Sequence, residues 1–496
     1  MATNYTLQQD YIALSTTHQL YLKHRDRWQF LYESYVGGQD YRDAGHLTRY
    51  QLESDGDYQL RLRATPLDNQ CAAVVGTYIS FLFRTEIERE FGTWEARWDV
   101  ESFLEDCDWE GRSFDDFMKQ LAIWSSVFGH CWCILTKPGV GAVTAAQEQR
   151  MNVRPFINLM TPLVVSDFTW QRRPNGSYEL VYLKYIEEVV DRLQVVKVWR
   201  PDRIETWEMD QAERTANLRS TEVNGLGVIP AVLVYNDRSI ERGIGVSDIN
   251  DIADVQRMLY NLNSENEQAI RLGTHPTLVV PPNAQVGAGA GALIILEQGS
   301  DPGLNPYALE FSSSAVGSIH ETQKRLTESI DRMANTGGVR TTASREMSGV
   351  ALETEFQLLN ARLSAKADNL ELAEEQIWQL FGRYQGITWE GEISYPDSFG
   401  MRDTNREIQE LATARSAATD PRVLAAIDHE ILETLGEDAD LIMPEYVATA
   451  ATTLPPEPLF EAHRMRNPET GDEVIARTEA EHIAYMEQGY IHKEED

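Results

Sequence analysis

The chain has 496 residues, 42% of them hydrophobic and 25% charged, ordinary values for a globular protein with a real core, so disorder is not the default reading and roughly two to four folded domains are expected. Lys and Arg number 44 against 78 Asp and Glu, a net charge of −34, which excludes a surface that is basic enough to grip nucleic acid everywhere. That acidity leaves open a local basic patch, a surface past which DNA moves without being held, or simple solubility.

Four cysteines (Cys71, Cys107, Cys131, Cys133) are too few for a disulfide scaffold and point to a reducing compartment. No apolar run approaches the ~18–20 residues of a membrane span. The first residues, MATNYTLQQD, lack a basic start followed by an apolar run, so the expectation is a soluble protein without a membrane partner.

In chain order, residues 7–36 read as one helix, with Trp28, Leu31 and Tyr35 at helical spacing and Gly37-Gly38 as its stop. A second helix is predicted over 66–83. A third spans 113–128, where Ser113 stands as N-cap, Asp115 and Asp116 fill the first turn, and Gly129 ends it. From Cys131 to Val234 the period becomes two, predicting strands at 131–135, 156–159, 178–186, 193–199 and 203–208, with hairpin chemistry at Pro174-Asn175-Gly176. The first ~235 residues therefore read as α+β, helices first and antiparallel strands after.

An amphipathic helix follows, with Ser247 as N-cap and a stripe from Ile252 through Val255, Leu259 and Leu262 to Ile270. Strand-like 278–280, a Gly/Ala-rich loop at 286–292 and strand-like 293–296 separate it from a helix over 315–335. Residues 336–345 form a polar loop hinged at Gly337 and Gly338, and Gly349 opens a long helix to about Tyr384. Beyond it lie strand-like 387–395, short helices at 404–418, 421–435 and 440–451, a linker at Pro455, Pro456 and Pro458, and an acidic end read as a helical hairpin or loose tail.

No catalytic constellation emerges. Gly287, Gly289 and Gly291 lack the lysine and following helix of a phosphate-binding loop. Cys131 and Cys133 share one strand face and read as core rather than metal ligands. Asp106, Asp108, Asp115 and Asp116 cluster carboxylates, read as a solvated helix entrance, with a metal-dependent hydrolase as the rival reading. No catalytic residue, metal site or cofactor is expected.

The informative stretch runs from Gly243 to Tyr384. Its strings are IPAVLVYND (229–237), GIGVSDINDI (243–252), MLYNLNSENEQAIRLGTHPTLVV (258–280), ETQKRLTESIDRMANTGG (321–338) and SGVALETEFQLLNARLSAKADNLELAEEQIW (348–378). WQFLYESYVGGQDY (28–41) and ISYPDSF (393–399) accompany them. In this order the strings resemble the portal proteins of tailed double-stranded DNA bacteriophages over roughly residues 25–440, and it is the order, more than any single string, that carries the likeness.

That resemblance implies an α+β portal architecture. Residues 1–245 would be the wing, 246–273 and 315–336 two stem helices, and 274–314 a small α/β clip. Residues 337–348 would be a tunnel loop, 349–399 the long wing helix and a strand, 400–450 a helical crown, and 451–496 an acidic tail or peripheral helices. Portals form rings, usually dodecamers, at one capsid vertex. They contact the major capsid protein, pass double-stranded DNA, and receive first the terminase large subunit, which hydrolyses the nucleotide, and later head–tail adaptor proteins. The chain would thus be a virion component assembled in the host cytoplasm and not itself an enzyme. Another head–tail adaptor is the remaining alternative.

On this reading Arg340, Thr341, Thr342, Ser344 and Arg345 face DNA, with Arg340 and Arg345 forming cationic circles between the hinges Gly337, Gly338 and Gly349. The bland alternative makes the two arginines ordinary solvated loop residues. Asp248, Asp251 and Asp254 would set carboxylates along one flank of the stem, suiting a wall that DNA slides past.

Overall fold

The computed structural model describes residues 2–139, 144–274, 277–280, 285–286, 294–295, 307–309, 314–340, 349–396, 398–399, 404–435, 463–468, 470–476 and 479–492. The chain divides into two compact units, Met1–Gly400 and Met401–Asp496.

The first unit opens with helices α1 (Ala2–Ser15) and α2 (Gln19–Val36), where the sequence suggests one continuous helix over 7–36. The break has a local cause: the hydroxyls of Ser15 and Thr16 both donate back to the carbonyl of Ile12, and His18 is extended. Gly37 then stops α2 in a positive-φ conformation, its N–H on the Glu33 carbonyl at 2.8 Å.

Helices α3 (Gly38–Asp43), α4 (Asp55–Ala64) and α5 (Gln70–Leu82) follow; Ser54 and Asn69 cap the last two by accepting from the amides of Asp57 and Ala72. Strand β1 (Glu88–Glu90) and helix α6 (Trp98–Glu105) precede α7 (Phe114–Phe128). Helix α7 is capped by Ser113, 3.2 Å from the Asp116 amide, and ended by left-handed Gly129, as its sequence predicts.

Next come β2 (His130–Thr136), α8 (Ala145–Met151), β3 (Phe156–Met160), β4 (Val165–Arg172), β5 (Tyr178–Val190), β6 (Leu193–Trp199), β7 (Arg203–Asp210), β8 (Thr215–Val223) and β9 (Ala231–Tyr235). They make two antiparallel sheets, ordered β3-β2-β9 and β4-β5-β6-β7-β8. The β4–β5 hairpin turns at the Pro-Asn-Gly string, with Gly176 at φ 90°. Strand β2 is central, and His130 through Leu135 are all fully buried, so Cys131 and Cys133 lie inside but not on a uniquely buried face. Burial raises the thiol of Cys133 to about 12, and those of Cys71 and Cys107 likewise.

Helix α9 (Ile252–Thr274) starts later than the sequence suggests. Ser247 is not its cap: its hydroxyl donates to the Val127 carbonyl at 2.7 Å, which pins the preceding segment to the end of α7. Small ladders follow, β10 (Thr277–Val279), β11 (Gln285–Val286), β12 (Ile294–Ile295) and β13 (Tyr307–Leu309), paired β10–β13 and β11–β12. Then α10 (Ser314–Ala334) packs on α9, where the Gln323 amide donates to Asn263 Oδ1 at 2.7 Å. Both ladders between the two helices are antiparallel.

A single helical turn, α11 (Gly337–Arg340), precedes the 37-residue α12 (Gly349–Gln385). Leu359, Leu363, Leu370, Ile377 and Phe381 recur on its buried face, which lies against β9 and α5. Strand β14 (Glu392–Ser394) pairs with β1 and is shorter than the predicted 387–395.

In the second unit α13 (Thr404–Ala417) and α14 (Pro421–Leu435) pack together, with Arg415 paired to Asp428. The C-terminal end is neither a helical hairpin nor a loose tail where it is described. Strands β15 (His463–Arg466), β16 (Glu473–Ala476) and β17 (Ile491–His492) form a sheet in the order β16-β15-β17, with α15 (Glu479–Glu487) between the last two in sequence. The helix expected at 440–451, the proline linker and the Gly287–Gly291 loop lie outside the described residues.

Candidate functional site

The region singled out by the sequence lies where the segment before α9, the end of α10, α11 and the N-terminal half of α12 converge. Asp248 sits at its centre, and the structure corrects its assignment. It precedes α9 rather than lying along it, and its side chain is 3% exposed. One carboxylate oxygen meets Lys366 Nζ at 2.5 Å and the Ser126 hydroxyl at 2.6 Å; the other takes Arg362 Nη2 at 2.9 Å. Lys366 is also held by Asn236 Oδ1.

Burial alone would raise the carboxyl pKa, but Lys366, Arg362 and the hydrogen bonds more than offset it, leaving Asp248 below its usual value. Burial draws Lys366 down, and Asp248 opposes that. An acid closed in by two cations cannot line a channel. Asp251 is exposed one residue before α9, and Asp254, in the first turn, is partly exposed and paired to Arg27 at 2.7 Å and Arg257 at 2.9 Å. Of the three, Asp251 and Asp254 are the ones that reach solvent in the subunit.

The first four residues assigned to the loop, 337–340, are helical. Gly337 and Gly338 are not hinges of an extended loop but begin the turn of α11, in which the amides of Val339 and Arg340 donate to the Thr336 carbonyl at 3.0 and 2.9 Å. Arg340 turns inward. Its guanidinium pairs with Asp331 at 3.1 Å and donates to Gln70 Oε1, tying the end of α10 to the start of α5. Gly349 is the first residue of α12. Thr341, Thr342, Ser344 and Arg345 lie outside the described residues.

The acidic cluster is dispersed. Asp106 pairs with Arg154 at 3.2 Å and accepts from the Gly111 amide; Asp108 pairs with Arg112 and accepts from the Glu110 amide. Asp115 binds Arg89 at 2.7 Å, and Asp116 lies 3.7 Å from Lys119. These carboxylates close a tight loop and anchor a helix entrance, and among the described residues no group of three or more His, Cys, Asp or Glu is placed to hold a metal ion. No described helix is long and apolar enough to cross a membrane.

Two further groups escaped the sequence. Lys184, on β5, is buried and donates its Nζ to the carbonyls of Leu14 and Thr16, which the end of α1 leaves without helical partners. Arg362 and Lys366 stand one turn apart on α12, a spacing that reads as an exposed basic face; only the acid brought from a segment more than a hundred residues away reveals their role.

No family model and no curated protein matches the chain. Among solved structures, it is similar to a chain in the neck of an empty gene transfer agent (GTA) particle computed with C6 symmetry, at TM-score 0.44 and 12% identity, covering 77% of this chain and 95% of that one. A chain in the neck of the native GTA particle computed with C12 symmetry gives TM-score 0.43 and 12% identity, with 79% and 98% covered. A chain of the native GTA virion gives TM-score 0.42 and 12% identity, with 77% and 95% covered.

Proposed function

We propose that this chain is a structural, non-catalytic subunit of a portal ring: it encloses the channel for genome packaging and ejection at one capsid vertex of a tailed DNA phage or a phage-like particle. The observation that carries the reading is the paired helices α9 and α10 bracketing two small antiparallel ladders, followed by a 37-residue helix. This is the element order of stem, clip, stem and long wing helix that the sequence resemblance implies. A helical hairpin prolonged by a β insertion suits a subunit that reaches through a wall, because its two helices stiffen each other along their length.

The ring would contact the major capsid protein, pass double-stranded DNA, and present the segment between α9 and α10 to the terminase large subunit and then to a head–tail adaptor. A −34 chain fits a conduit, since a wall that does not neutralise phosphates lets DNA slide. Electron microscopy of the purified full-length protein tests the reading. The expected result is a closed ring, about twelvefold, with an axial channel wide enough for duplex DNA; a monomer or dimer under all conditions overturns it.

A further inference from the structure

We infer that an arginine-rimmed hollow on the first unit receives carboxylates from a second copy of this chain and is complete only when that neighbour is present. The inference rests on the ring reading. The hollow measures about 520 Å³ and lies between the β4–β5 hairpin, the loop after β9 and the C-terminal half of α12. Leu180, Val232 and Leu380 form its apolar floor, and Arg173, Arg238, Arg242 and Arg383 approach from three separate segments.

Four arginines face one acid there. Arg173 binds Glu179, Nε to Oε2 at 2.7 Å, and Arg383 adds to the field on the same carboxylate. Arg238 and Arg242 make no ion pair among the described residues. Their guanidiniums lie instead over the rings of Tyr235 at 5.3 Å and Tyr178 at 3.4 Å from the centroid. Stacking of this kind holds a guanidinium in place while leaving its N–H fork open for a carboxylate. In a chain with 78 acids and 44 bases, such a local excess of cations is unusual, and Glu179 is the one acid among the described residues that line the hollow.

The rim is also apolar where a solvated anion site would not be. Ile240, between Arg238 and Arg242, is fully exposed, and Tyr178 is 45% exposed. Arginine, tyrosine and a protruding aliphatic side chain over an apolar floor are the composition of a protein contact. A phosphate backbone calls for a continuous basic stripe rather than a confined hollow. The acidic partner in greatest local supply is another copy of this chain. A ring closes through heterologous contacts, in which a hollow on one copy meets a different patch on the next, so every copy can both give and receive. Copies carrying −34 each repel, and meeting acid with arginine at the contact offsets that repulsion and selects the register.

The test uses the full-length chain, comparing wild type with Arg238→Glu/Arg242→Glu and with Ile240→Asp, by mass photometry and electron microscopy over a concentration series at low and high salt. The expected result is rings for wild type and a shift of assembly to concentrations on the order of 100-fold higher for the double variant, with unchanged circular dichroism. Should the double variant misfold, Ile240→Asp decides, because its side chain is fully exposed in the subunit. Assembly of the folded variants at wild-type concentrations overturns the inference and leaves the ring reading standing. Variants that assemble normally but lose binding to duplex DNA would reassign the hollow to nucleic acid. Wild-type protein that never forms a ring removes the portal reading, and this inference with it.

Discussion

Lys366 Nζ lies 2.5 Å from Asp248 Oδ2, in a pair whose side chains are 6% and 3% exposed. It joins the middle of α12 to the segment that launches α9, so those two elements are locked through a buried cluster of charges. Removing Lys366 leaves the buried Asp248 carboxylate with one cation, Arg362, in place of two. Lys366→Met should lower stability by ~1–3 kcal/mol, whereas Lys366→Met with Asp248→Asn should recover part of that loss. Chemical denaturation followed by near-ultraviolet circular dichroism measures these and Asp248→Asn alone; a double-variant loss equal to the sum of the two single losses would show that the pair has no coupling.

His130 should make the fold acid-sensitive. It is fully buried, with Nδ1 accepting from the Gly245 amide at 3.3 Å and Nε2 bonded to the Tyr21 hydroxyl at 2.7 Å, which in turn accepts from Trp132 Nε1 at 2.8 Å. Burial pulls its pKa from 6.5 down to about 3. Between those values the unfolded chain binds a proton that the folded chain refuses, so stability is full above pH 6.5 and falls as pH drops towards 3. The slope from this residue approaches ~1.4 kcal/mol per pH unit. Denaturation midpoints measured across that range should fall less steeply for His130→Gln than for wild type.

Gly129 and Gly245 cross so closely that a Cβ on Gly245 would stand 1.8 Å from the Gly129 carbonyl oxygen, and one on Gly129 would stand 2.4 Å from the Gly245 oxygen. Both obstacles are backbone. Gly245→Ala should therefore cost ~4 kcal/mol or more, or abolish soluble expression. Gly76, inside α5 with open space around it, provides the contrast: Gly76→Ala should raise stability by ~0.5–1 kcal/mol. Thermal melts of the two variants separate the cases.

The two arginines first read as one cationic pair should part company. Arg340 holds α10 to α5 through Asp331 and Gln70, so Arg340→Ala is expected to lower stability by ~1–3 kcal/mol. Arg345→Ala, on the portal reading, should leave ring and stability intact while impairing packaging or DNA retention. Melting curves alongside an in vitro packaging assay read both effects. Equal packaging loss with no change in melting for Arg340→Ala would return that residue to the channel.

Local chemistry that needs only neighbours in sequence was legible in advance. Ser113 capping α7, Gly129 ending it, the turn at Gly176 and the strand over 193–199 each depend on backbone preferences or a two-residue period that tertiary context leaves intact. Errors fell where distant groups compete for the same atoms. The helix over 7–36 broke because hydroxyls and a lysine from β5 claimed the carbonyls at the end of α1. The long helix predicted from 246 began late because Ser247 and Asp248 were already bonded to α7 and α12.

By itself, the amino-acid sequence determined the α+β composition, the buried cysteines, the paired helices around a small β segment and the order of elements that suggests a portal. Only the tertiary structure decided which charges are available. Asp248 and Arg340 look like surface groups in sequence, and both are consumed in the fold, Asp248 by Lys366 and Arg362 and Arg340 by Asp331 and the distant Gln70. Arg238, Arg242 and Arg383 look unremarkable, yet they meet at one hollow. The physical reason is range: capping, periodicity and turn chemistry act over a few residues, whereas the fate of a charge depends on burial and on partners that only the folded chain brings together.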